Sequence, residues 1–186
     1  PRDPKPDRID PFTLGEPWRR AVQDALQARN RFREAVGDAR QGPLRDRMEE
    51  IADAVERGVD EAWRVARQGA RRVEARRRID TAEARQELAQ IEARGSGSDA
   101  LEQTAKSLRA ELAAAERLER TIQDAQDRLR LTNARLDEAV AQAAELSVAA
   151  DDVAQLAGLG DAVDDLVTDL EALRLGLEEV QRPSTS

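Results

Sequence analysis

From Trp18 onward the apolar residues Val22, Ala25, Leu26, Phe32 and Val36 recur at intervals of three and four, the period of one face of an α-helix. Pro17 suits the first turn of that helix, which the pattern carries to about Arg40. "QGP" then sets Gly42 at a helix end and Pro43 at the next helix start, so the two helices should pack antiparallel. A second seam, Leu44, Met48, Ile51, Val55, Gly58, Ala62, Val65 and Gly69, alternates steps of four and three. Both glycines lie on this seam, where a missing side chain lets a neighbouring backbone come close. The pattern blurs over Arg71 to Arg78 and resumes at Ala84, Leu88 and Ile91, which predicts one helix to about Ala93.

"RGSGSDALE" is the clearest break in the chain, with Asp99 as N-cap and Glu102 in an acidic first turn. Beyond it Leu101, Leu108, Ala115, Ile122, Leu129, Leu136 and Ala143 follow at intervals of seven. The second seam position is less regular: Ala105, Leu112, Leu118, Ala125, then Asn133, Val140 and Leu146. This helix should run to about Ser147. A short helix over Ala149 to Ala157, a turn at "GLGD" and a last helix capped by Asp161 complete the prediction.

These lengths imply an architecture. Residues 1–16, rich in proline, read as an extended arm tacked down by Phe12 and Leu14, and 182–186 as a frayed tail. Residues 17–181 form a single all-α domain, an antiparallel helical bundle from about 17–67 and 125–181. A two-helix coiled-coil hairpin over about 68–124 should protrude from it by about 40 Å, turning at 95–99.

Composition supports helices and removes most chemistry. Only four of 186 residues are aromatic, 37% are charged, and the chain has neither His nor Cys. The usual general base, thiol nucleophile, zinc ligands and disulfides are therefore all absent from the sequence. Di-iron bundles need Glu-x-x-His pairs, Ser96, Ser98 and Ser107 have no base, and "DAVDDLVTD" lacks the alternating acids and glycine of a calcium loop. "GLG" has no preceding strand to make a phosphate loop. The expectation is a non-enzyme without catalytic residue, cofactor, metal or small-molecule substrate. No run of about 18 apolar residues occurs, so the expected location is the cytoplasm, with membrane association if an anchor precedes Pro1.

Charge then singles out two faces. The chain carries net −8, but residues 1–94 hold 21 basic and 19 acidic side chains, and residues 95–186 hold 9 and 19. At 100° per residue Arg64, Arg67, Arg71 and Arg78 fall within about a 60° strip opposite the apolar face of their helix. Arg72, Arg76 and Arg77 fall on its flanks or over the apolar face. On the last helix Asp164, Asp165, Asp169, Glu171, Glu178 and Glu179 point outward. Three readings follow: solvated helix faces, association of the strip with the acidic face of another copy, or contact with an anionic membrane or nucleic acid. Nucleic acid is disfavoured, because stacking aromatics and a DNA-binding motif are missing. Asn133, on the seam between Leu129 and Leu136, is the candidate for fixing register or oligomer state.

In "DPFTLGEPWRRAV", "RLRLTNARLDEAV" and "VDDLVTDLEALR" the chain resembles uncharacterised helical proteins of actinobacteria. As a long charged helical hairpin it also resembles, more loosely, the phage-shock and membrane-remodelling coat proteins. Neither likeness assigns a residue a role. The expected function is a structural or interaction protein that self-associates or scaffolds a protein partner, and the alternative is a peripheral membrane or envelope-associated adaptor using the arginine strip.

Overall fold

The computed structural model describes residues 8–95, 97–148 and 153–179. The protein is all-α: among these residues a 3₁₀ turn, Pro11–Thr13, precedes five helices. They are α1 (Trp18–Asp38), α2 (Pro43–Arg77), α3 (Thr81–Arg94), α4 (Asp99–Val148) and α5 (Val153–Glu179). The N-terminal arm lies outside the described residues up to residue 7, and the tail 182–186 lies outside them entirely. Asp10 accepts a hydrogen bond from the Phe12 amide at the start of the 3₁₀ turn. Pro11 and Leu14 anchor this segment, whereas Phe12, expected to do so, is 74% exposed.

Several helix ends lie where local chemistry puts them. Gly42, at φ +145°, and Gly95, at φ +74°, adopt backbone conformations that a side chain would strain. The predicted second helix is in fact two. It breaks at Arg78–Asp80, where the Asp80 carboxylate accepts from the amides of Ala82 and Glu83 and starts α3 afresh. Asp80 with Glu83 is an N-cap pattern that the blurred seam obscured. Arg76 braces the break by donating to the Ile79 carbonyl and the Thr81 hydroxyl. At the start of α4 the cap is Ser98, whose hydroxyl accepts from the Leu101 amide at 3.4 Å, and Asp99 lies in the first turn instead.

Two further expectations change. "GLG" is not a turn: Gly158 and Gly160 lie inside α5, which begins eight residues before Asp161. The earlier part of the predicted short helix, residues 149–152, lies outside the described residues. On α4 the second buried row is Ala125, Thr132, Ala139 and Leu146, an unbroken interval of seven. Asn133 and Val140 sit half-buried one position past it. Thr and Ala carry little hydrophobicity, so the larger Val140 misled the pattern.

By contacts the chain divides into two compact units, residues 1–69 with 125–186, and residues 70–124. In the first unit α1, α2 up to Gly69, α4 from Ala125 and α5 form a bundle. Trp18 against Gly69 and Arg29 with Glu56 show α1 and α2 running antiparallel. Gly160 beside Ile51 and Gly58 beside Leu166 set α5 parallel to α2. Arg135 with Asp169 joins α5 to α4, and Asn133 with Ala21 joins α4 to α1. The helices therefore follow one another around the core in the order α1, α2, α5, α4. Phe32, Met48, Leu129, Leu136, Leu146, Leu159, Leu166 and Leu170 are wholly buried at its centre. Gly58 and Gly69 admit side chains rather than a backbone: the Leu166 methyl in one case and the Trp18 indole in the other.

The second unit is thinner. The end of α2 and all of α3 run antiparallel to the first half of α4, as Arg76 with Glu119 and Arg109 with Glu92 show. Ala84, Ile91, Ala105, Ala115 and Ile122 are buried, while Leu88, Leu101, Leu108, Leu112 and Leu118 are only half-buried. Small residues at the buried positions let the helices approach, and the leucines close the flanks.

Candidate interaction surfaces

Periodicity assigned the arginines to the outer face of α2, and the structure places three of the four strip residues fully outside. Arg64, Arg71 and Arg78 are exposed, and Arg67 is half-buried with its guanidinium 5.6 Å from the Trp63 ring centre. Arg64 pairs with Glu61 three residues earlier, and Arg78 lies 3.8 Å from Glu74. Arg71 enters no ion pair among the described residues. Arg64 and Arg67 belong to the first unit, Arg71 and Arg78 to the second. Of the arginines expected on the flanks, Arg72 is buried and its proton is held less firmly than usual because burial penalises the charge.

All six acidic residues assigned to the outside of α5 are exposed. Asp164 lies 3.8 Å from Arg57, Asp169 accepts from Arg135 at 2.7 Å, and Glu178 accepts from Arg174 and Gln68 at 2.8 and 2.9 Å. Asp165, Glu171 and Glu179 enter no ion pair among the described residues. Asn133 donates from Nδ2 to the Ala21 carbonyl at 3.0 Å, tying α4 to α1 within one chain.

Two features escaped the sequence reading. The first is a charge cluster between α2 and α5. Glu61, 6% exposed, takes Arg174 Nε on one oxygen at 2.8 Å and Arg64 on the other. Hydrogen bonds to Glu178, and then to Glu61, hold the Arg174 proton more firmly than usual. Spacing could not reveal this pair, since the partners stand 113 residues apart. Next to it, Asp60 is pushed above the ordinary carboxylate range, chiefly by burial and then by the charge of Glu56, with Arg64 and Arg29 opposing.

That shift has a signed consequence. The fold holds the Asp60 proton more tightly than the unfolded chain, so the associated stability is present at low pH and is lost as pH rises through the raised value. At neutral pH the ionised carboxylate is a cost. Asp60→Asn should therefore raise the urea midpoint at pH 7, and the gain should vanish below the ordinary aspartate range, about pH 4. An equal gain at both pH values would mean that ionisation is irrelevant.

The second feature is a groove between α4 and α5. A cleft of about 340 Å³ is floored by Ala139, Leu159, Val163 and Leu166. A second cleft, of about 420 Å³, adjoins it through Gln142 and Ala162 and reaches Gly158. The rim carries Glu138, Glu145, Asp165 and Asp169 against the single cation Arg135, which is already paired with Asp169. A smaller cleft, of about 100 Å³, lies between α1 and α4 beside Trp18 and Asn133.

Among the described residues no helix is long and apolar enough to cross a membrane, and no three carboxylates are grouped to hold a metal ion. Neither a protein-family model, nor a curated protein, nor a solved structure matches the chain.

Proposed function

We propose that this is a non-enzymatic scaffold, a coiled-coil-bearing bundle that recognises a protein partner or a second copy of itself through its helix faces. One observation carries the reading: exposed charges of opposite sign lie on different helices, Arg71 on α2 and Asp165, Glu171 and Glu179 on α5, and enter no ion pair among the described residues. Charged faces of this kind give orientation and selectivity, and the affinity comes from the apolar surface that they border. In the unit spanning residues 70–124 the five leucines, Leu88, Leu101, Leu108, Leu112 and Leu118, are only half-buried, which suits a coiled-coil contact.

The test is charge reversal of Arg64, Arg67, Arg71 and Arg78 to glutamate, with circular dichroism to verify folding. Loss of self-association or of a defined protein complex, with no binding of the parent protein to vesicles containing about 30% anionic lipid, is expected. Vesicle binding by the parent protein that the reversed protein loses would replace the scaffold with a membrane adaptor.

A further inference from the structure

We infer that the α4–α5 groove of one copy receives the arginine-rich end of α2 from a second copy. The inference rests on the interaction reading above and makes it specific. Glu138, Glu145 and Asp165 border an apolar floor and enter no ion pair among the described residues, so the groove presents anionic charge that its own chain leaves unmatched there. Glu138 and Glu145 stand seven residues apart on α4, two helical turns or about 10.5 Å.

The complementary surface has the same repeat. Arg71 and Arg78 are also seven residues apart, and Arg78, the first residue beyond α2, keeps the turn through its amide bond to the Ala75 carbonyl at 3.2 Å. Arg77 is exposed between them and, like Arg71, enters no ion pair among the described residues. The only carboxylate within this stretch, Glu74, already lies beside Arg78. Two arginines can thus meet two glutamates in one register. Their aliphatic stems lie along the groove beside Gln142 and the exposed Ala162 while the guanidinium groups reach the rim.

An exposed acidic row alone would hold any cation weakly. Here two charge pairs engage together over floor residues that are already buried, so the contact is chiefly electrostatic and salt-sensitive, and the matching interval of seven selects a helix over a disordered basic peptide. Because groove and arginines are different surfaces, the contact is heterologous: it closes into a small ring or dimer, or it propagates.

The experiment is light scattering behind size exclusion, on the full chain, at low and high salt. The parent protein should show a mass at least twice 20.6 kDa at low salt and lose it as salt rises. Glu138→Arg/Glu145→Arg and Arg71→Glu/Arg78→Glu should each weaken association at least tenfold with unchanged helicity. An equimolar mixture of the two variants should recover it, because each restores the other's charge pattern. A parent protein that is monomeric at every salt and concentration overturns the inference and leaves partner recognition to be decided by the vesicle and complex assays. An oligomer that neither variant alters overturns the groove while preserving self-association.

Discussion

Gly69→Ala should destabilise the protein by about 2 kcal/mol, although in an ordinary helix interior the same change stabilises by up to about 1 kcal/mol. The reason is Trp18. A β-carbon at position 69 would stand 2.2, 2.5 and 2.6 Å from three carbons of its six-membered ring, well inside van der Waals contact. The indole is only 2% exposed and rigid, so it cannot swing aside as a leucine methyl could. Gly176, where an added carbon meets nothing within 4 Å, supplies the control: Gly176→Ala should stabilise. Urea denaturation decides the matter. A Trp18→Leu replacement should absorb much of the Gly69→Ala penalty in a double-mutant cycle, and additive effects would show that the two residues do not meet.

Arg174→Ala should cost about 2–3 kcal/mol, more than any exposed ion pair in the molecule, because it leaves the buried Glu61 carboxylate with Arg64 alone. An exposed pair such as Arg31 with Asp137 should contribute at most about 1 kcal/mol. The companion variant is Glu61→Leu/Arg174→Leu. Removing both charges also removes the cost of stripping water from them, so the double variant should recover most of the loss. Denaturation of the three proteins, each with its own slope, separates the cases; a single variant within about 0.5 kcal/mol of the parent would mean that the cluster is solvated like any surface pair.

What the sequence revealed, and what it hid, follows from range. Local signals were readable: Gly42 before Pro43, the glycines and serines around position 97, and the seven-residue row from Leu101 to Ala143 gave α1, the start of α2 and the limits of α4. The all-α class follows from the same periodicity. Signals that conflict were misread. At Arg78–Asp80 the seam had already blurred, so the Asp80 cap went unrecognised, and two glycines in "GLG" outweighed the apolar period that carries α5 through them. The outward direction of Arg64, Arg71 and the α5 carboxylates was legible because one helix's geometry determines it. The meeting of Glu61 with Arg174, and the groove between α4 and α5, depend on how separate helices align, which no single-helix pattern contains.

The placement of the aromatic residues has an optical consequence. The chain has two tryptophans and no tyrosine, and Trp18, Trp63 and both phenylalanines, Phe12 and Phe32, all belong to the unit formed by residues 1–69 and 125–186. Residues 70–124 are therefore dark in the near ultraviolet. Tryptophan emission follows the melting of one unit alone, while far-ultraviolet dichroism follows both, so the parent protein, without any label, carries its own means of telling whether the two units unfold as one.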